Sequence, residues 1–161
     1  MIGILVNPTF TDAEAEARDA TQAATLLGLQ TQIVRASTVD EFSTAFATLA
    51  QQKVAGLVLG NDAFFFRERQ QLLALAARYD MPAIYCWREF ALDGGLMSYA
   101  PSLTQGYRQV GIYVGRILKG EKPADLPVLQ PTKSDSDIGS SKLMQCKLTI
   151  SSHFVGRKFL L

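Results

Sequence analysis

Short apolar runs separated by single amphipathic helices constrain this chain more than any other feature. Ile2 to Val6 is the first run, ended by Asn7-Pro8-Thr9. Behind a capping-box sequence, Thr11-Asp12-Ala13-Glu14, the residues Ala13, Ala17, Ala20, Ala24 and Leu27 recur at helical spacing, and Gly28 suits the stop. A second run lies near Thr31 to Val34. A second capping box, Thr38-Val39-Asp40-Glu41, opens a helix with the stripe Phe42, Ala45, Phe46 and Leu49. Val54 to Leu59 is the third run, closed by Gly60-Asn61-Asp62. A third helix carries Leu72, Leu75, Ala76 and Tyr79, and Ala83 to Tyr85 is the fourth run after the break at Asp80-Met81-Pro82. Strands joined by one helix each require right-handed crossovers and a parallel sheet. Runs that are apolar throughout suit a sheet covered on both faces. The expected fold is α/β: a Rossmann-like, doubly wound parallel sheet with strand order 2-1-3-4.

After residue 86 the pattern changes. Trp87-Arg88-Glu89-Phe90 leads to Gly94-Gly95 and a short extended piece, Leu96 to Tyr99. A helix is expected from Ser102 to about Lys119, with Leu103, Tyr107, Val110, Val114 and Ile117 on one stripe and Gly106, Gly111 and Gly115 close to one face. Each glycine costs a helix about 1 kcal/mol relative to Ala, so the three predict a closely packed neighbour. Glu121 to Lys133 holds Pro123, Pro127 and Pro131 and reads as an extended connector. Ser134 to Ser141 is small and polar, and the remainder to Leu161 shows no coherent amphipathic helix.

Composition excludes several classes of function. Among 161 residues, 16 basic and 15 acidic side chains leave a formal charge of +1, against a nucleic-acid partner. Two cysteines, Cys86 and Cys146, are too few for a disulfide scaffold. His153 is the only histidine, so any Ser-His-Asp or Cys-His arrangement would depend on it. Zinc-ligand spacing, a dinucleotide loop and a Walker sequence are all missing. No catalytic residue, metal or cofactor is expected. No apolar run approaches the ~20 residues of a membrane span. Met1 to Val6 lacks the basic start and cleavage site of a signal peptide, so the chain as written would stay in the cytoplasm.

The expected topology directs attention to one crevice. Ligands of open α/β sheets bind beyond the carboxyl ends of the strands, where strand order reverses, here between strands one and three. Asn7, Thr9, Asn61 and Asp62 offer short polar groups there, and adjacent helix N-termini offer free amides to an anion. Phe64 and Phe65 can wall a small molecule. Alternatively, Asn61 and Asp62 cap the third helix and either phenylalanine belongs to the core. Arg88 suits a bidentate carboxylate contact, or pairs with Glu89 or solvent. Trp87 and Tyr99 suit stacking or plain packing. Cys86 reads as a small buried apolar residue. Asp62 also lies where a phosphoacceptor aspartate would. However, Asn7-Pro8 replaces the acidic pair such a domain needs, and no suitable lysine follows a later strand. A stand-alone flavodoxin-like or phosphoacceptor domain is therefore the alternative.

Several segments together carry a resemblance. They are Leu5-Val6-Asn7-Pro8-Thr9, Asp62 to Phe65, Leu73 to Arg78, Pro82 to Tyr85 and Trp87-Arg88-Glu89-Phe90. Gly94-Gly95-Leu96-Met97-Ser98-Tyr99, Tyr107 to Tyr113, Gly115 to Pro127 and Gln130 to Lys133 continue it. The chain resembles substrate-binding proteins of ABC transporters with the type I periplasmic-binding-protein fold, in the group related to tryptophan- and tyrosine-binding lipoproteins. The resemblance implies a non-enzyme that traps a small molecule, such as an amino acid or an aromatic or carboxylated compound, between two lobes and delivers it to a membrane permease. It implies a periplasmic location.

Only the second half of such a protein is matched. Residues 1–100 resemble the C-terminal lobe, and residues 101–133 the helix and connector that pack on an N-terminal lobe. Residues 134–161 depart from the pattern, lacking the expected returning apolar strand and final helix, as a shifted reading frame would produce. Ala63 and Ala100 stand where the family often has Pro and Gly. An uncovered lobe face and the 102–119 helix also fit a homodimer, or a non-functional truncated product that self-associates.

Overall fold

The strand and helix alternation closes into one six-stranded sheet. The computed structural model describes residues 1–129 and 134–138; residues 130–133 and 139–161, with Cys146 and His153, lie outside it. The first five strands are β1 (Ile2–Val6), β2 (Thr31–Arg35), β3 (Leu57–Leu59), β4 (Ala83–Tyr85) and β5 (Met97–Pro101). They are parallel, in the order β2-β1-β3-β4-β5. The expected order 2-1-3-4 thus holds, and the extended piece near Leu96 to Tyr99 adds a fifth parallel strand. A sixth strand, β6 (Ser134–Ile138), joins β5 antiparallel at the edge, with Pro101 opposite Ser134 and Met97 opposite Ile138. This corrects the expectation that no strand follows Lys133. Backbone pairing to an existing edge needs no apolar alternation, which is the signal the polar sequence Ser134-Asp135-Ser136-Asp137 lacks.

The helices are α1 (Ala13–Leu26), α2 (Val39–Gln51), α3 (Ala63–Arg67), α4 (Arg69–Arg78), α5 (Arg88–Leu92) and α6 (Leu103–Leu118). A short 3-10 turn, Pro123–Asp125, interrupts the connector. The two capping-box sequences behave differently. At α2, the Glu41 carboxylate accepts the Thr38 amide at 3.1 Å, as the motif requires, and the Ser37 amide before it at 2.6 Å. At α1 the N-cap is Asp12, without a side-chain cap bond, and Glu14 instead pairs with Arg35 of β2 at 2.9 Å. The single expected third helix is two, α3 and α4, divided at Glu68.

Alternate residues of the strands feed two apolar clusters. Leu5, Leu57, Leu59, Ala83 and Tyr85 pack with Phe42, Phe46, Leu49, Phe65, Leu72 and Phe90. The Phe42 ring is fully buried, 5.4 Å from Phe64 and 5.9 Å from Phe65. The second cluster, Ile4, Val6, Ala13 and Ala17, lies under α1 alone. Gly95 fits where the chain turns into β5. A Cβ there would stand 2.7 Å from the Phe90 carbonyl and 2.8 Å from the Tyr85 ring, closer than any side chain tolerates.

Helix α6 departs from its expected surroundings. Tyr107 is 74% exposed and Leu118 82%, and Val110, Val114 and Ile117 are exposed too. No described atom lies within 4 Å of where a Cβ would stand on Gly106, Gly111 or Gly115. The expected close neighbour of these glycines is therefore not among the described residues. Helical spacing also places Gly106 on one flank of the apolar stripe and Gly111 and Gly115 on the other, rather than all three on one face.

Candidate ligand crevice at the carboxyl edge of the sheet

The order reversal between β1 and β3 brings two loops together. Asn7 leaves β1 and is only 5% exposed. Its side-chain oxygen accepts the Thr9 amide at 3.1 Å and the Thr9 hydroxyl at 2.8 Å, which fixes the turn through Pro8. Thr9 itself is exposed. Across the crevice, Gly60 follows β3 and donates its amide to the Leu5 carbonyl at 2.8 Å. A Cβ on Gly60 would meet the Glu16 carboxylate at 3.0 Å and the Leu5 carbonyl at 3.1 Å, so a side chain there would push the two loops apart.

Asp62 is 8% exposed, and its Oδ1 accepts the Phe64 amide at 2.7 Å and the Phe65 amide at 3.2 Å. It is the N-cap of α3, the capping role weighed against ligand binding from sequence. Phe65 is 1% exposed and packs in the core, so it cannot wall a ligand; the apolar run Phe64-Phe65-Phe66 needs a buried member to anchor α3 on the sheet. Phe64 is half-buried against Phe42.

Beyond β4, Trp87 stands 5.2 Å from the Phe66 ring at a 55° tilt, and its Nε1 is buried with no hydrogen-bond partner among the described residues. Arg88 opens α5 and is exposed. On β5, Tyr99 is 59% exposed, one residue past Ser98, the register partner of Tyr85. The two loops, Trp87, Arg88 and Tyr99 thus share the carboxyl edge of the sheet.

Two further residues enter the crevice that the sequence reading did not place there, Glu16 and Cys86. The Glu16 side chain reaches from α1 to the Asn61 amide at 3.1 Å. Burial raises its pKa against the lowering effect of that amide, and Asp12 and Asp62 raise it further. The Cys86 thiol lies 3.7 Å from the Gly60 carbonyl and 3.6 Å from the Asn61 side-chain oxygen, tying β4 to the β3 loop. Burial first, then the charges of Glu16 and Asp62, push that thiol up to about 12, which leaves it an inert neutral donor. The available signal was topological: residues in the first turns of the helix after β1 face the order reversal. The crevice is therefore acidic on its β1–β3 side and aromatic toward β4 and β5. Among the described residues no three His, Cys, Asp or Glu side chains group to hold a metal ion.

A family model for ABC transporter substrate binding proteins matches residues 1–157. The chain belongs to this family. The match extends beyond Lys133, in keeping with the strand found at Ser134–Ile138. No curated protein sequence matches the chain.

Solved structures give the same fold. An ABC domain from Streptococcus pneumonia, in complex with L-Trp, is 19% identical with a TM-score of 0.82; the match covers 96% of this chain and 53% of that one. A conserved domain protein from Vibrio cholerae is 21% identical with a TM-score of 0.84, covering 98% of this chain and 53% of its own. A substrate-binding protein with adhesive properties from Clostridium difficile, in its ligand-free, open form, is 18% identical with a TM-score of 0.69, covering 89% and 48%. This member thus spans about half the length of the structures it matches. No helix among its described residues is long and apolar enough to cross a membrane.

Proposed function

We propose that this chain forms one wall of a solute-binding cleft, the C-terminal lobe of an importer's binding protein, and that its ligand is an amino acid or a related small aromatic carboxylate. The observation that carries the reading is the convergence of Asn7, Thr9, Asn61 and Glu16 at the β1–β3 order reversal, in a chain of this family. The Glu16 carboxylate suits a ligand ammonium group. Arg88 suits a carboxylate, and Tyr99 and Trp87 suit an aromatic side chain. The L-Trp bound to the pneumococcal relative is a ligand of this kind.

In this reading the apolar stripe of α6 packs on the second lobe, and the loaded pair docks on a membrane permease outside the cytoplasm. The protein acts by binding and release, without catalysis. One wall supplies about half the contacts of an enclosed site, so binding by this chain alone is expected to be weak.

Calorimetry with a panel of amino acids and aromatic carboxylates tests this. The expected result is binding weaker than about 100 μM to at least one compound, reduced several-fold by Thr9→Val or Glu16→Gln. Submicromolar binding would contradict the shared-cleft part. Absence of heat across the panel, or binding indifferent to both variants, would contradict the site.

A further inference from the structure

The two carboxylate oxygens of Glu16 stand in different circumstances. Oε2 accepts the Asn61 amide at 3.1 Å and lies beside Gly60, where a Cβ would stand 3.0 Å away. That bond joins α1 to the loop after β3 and fixes the carboxylate across the order reversal. Oε1 accepts no hydrogen bond among the described residues. The buried Asp62 is divided in the same way: Oδ1 caps α3, and Oδ2 accepts nothing among the described residues. Elsewhere Glu14 pairs with Arg35, Glu68 with Arg67, Asp93 with Arg69 and Glu121 with Arg116. No lysine or arginine among the described residues pairs with Glu16 or Asp62. Burial acts against the ionised form of Glu16, the Asn61 amide favours it, and Asp12 and Asp62 add like charge. The opposite edge of the sheet differs. There, at the amino ends of the strands, Ile2, Val58, Pro82, Ile84, Leu96 and Met97 line an apolar groove of about 180 Å³.

We propose that Glu16 sets the ligand class of the crevice. Its Oε1 takes the ligand's ammonium group while Oε2 stays on Asn61, so the site selects α-amino acids over the same carboxylates without the amino group. The assignment depends on the solute-binding function proposed for this crevice and narrows its ligands, which there include carboxylates lacking an amino group. A half-buried carboxylate with like-charged neighbours and a free oxygen is completed by a cation that donates hydrogen bonds. The groups beside it are acceptors too. The Gly60 carbonyl and the Asn61 side-chain oxygen are met by the weak donor Cys86, at 3.7 and 3.6 Å. An ammonium group brings three N–H donors and one positive charge to such a place, whereas a bare anion brings neither. The bond to Asn61 also matters for affinity. A carboxylate already held in place loses little side-chain freedom when the ligand arrives.

Matched pairs of compounds test this on the full chain: L-Trp with indole-3-propionate, L-Phe with 3-phenylpropionate, and L-Leu with 4-methylpentanoate. The members of each pair differ only in the amino group, and amide shifts in NMR titrations at neutral pH give the affinities. The best-bound amino acid is expected to bind roughly tenfold more tightly than its partner. In Glu16→Gln the side-chain oxygen can still accept the Asn61 amide, so the melting temperature is expected to stay near that of the parent. The preference is expected to shrink to within about twofold, through lost amino-acid affinity, while the partner compound binds no more weakly. Equal affinity within each pair, with shifts at the crevice loops, would overturn this assignment and leave the solute-binding function standing. A loss in Glu16→Gln shared equally by both members would also overturn it, because Glu16 would then act through the loop alone. Shifts in none of the titrations would overturn both. If Glu16→Gln does not fold, the pairs measured on the parent decide the matter.

Discussion

At the scale of single residues, the crevice is built from groups that hold loops as well as face solvent. Asp62 is the clearest case, because its Oδ1 satisfies two free amides of α3. Asp62→Ala is expected to cost about 1 kcal/mol in denaturant melts, whereas Asp62→Asn, which can still cap, is expected to restore most of it. Glu41 gives a pH signature. The Ser37 amide and hydroxyl and the Thr38 amide hold its carboxyl below the usual 4.5. A depressed folded pKa means that the contribution is present above about pH 4.5 and is lost as pH falls through the lower folded value. Glu41→Gln is therefore expected to melt below the parent at about pH 6, and the difference is expected to shrink as pH falls below the usual carboxylate range. The loop residues Asn7, Thr9, Asn61 and Asp62 were legible because topology alone brings them to one edge. Glu16 was not, because its role depends on a carboxylate reaching across from a helix face that also reads as ordinary solvent surface. Phe64 and Phe65 were ambiguous for a related reason: adjacent apolar residues in a short helix cannot both point inward, and the sequence does not say which one does.

At the scale of elements, legibility followed the source of stabilisation. The strands β1 to β4 and helices α1 and α2 are held by their own apolar pattern, and that pattern identified them. The edge strand β6 is held by backbone pairing to β5, which leaves no trace in a polar sequence. The five-residue helix α5 is fixed by the burial of Phe90 and Ala91, a signal too short for periodicity to reveal. The three glycines of α6 were read as a packing face, and the described residues place nothing against them. A contrast in stability follows. Phe42→Ala removes a fully buried ring from the main cluster and is expected to cost roughly 3–5 kcal/mol. Val114→Lys on the exposed side of α6 is expected to stay within about 0.5 kcal/mol of the parent in this chain. A large loss from Val114→Lys would show that α6 is already covered, by a second copy or otherwise.

At the scale of the whole molecule, the chain is a family member whose sheet carries a polar crevice at one edge and an apolar groove at the other. The near-neutral charge conceals an uneven distribution, with all 15 acidic residues before residue 139. The crevice lies where an open parallel sheet binds ligands, and the zwitterionic ligand proposed above suits the Glu16 and Asp62 carboxylates between β1 and β3, which oppose a bare anion there. The most direct test of this account is amide shift mapping by two-dimensional NMR during titration with L-Trp and other amino acids. Saturating shifts are expected at Asn7, Thr9, Gly60 to Asp62, Trp87, Arg88 and Tyr99, with residues of the opposite edge, such as Gly56 and Leu96, unmoved. Shifts centred on α6 or on the amino-terminal groove, with the carboxyl-edge loops silent, would contradict it.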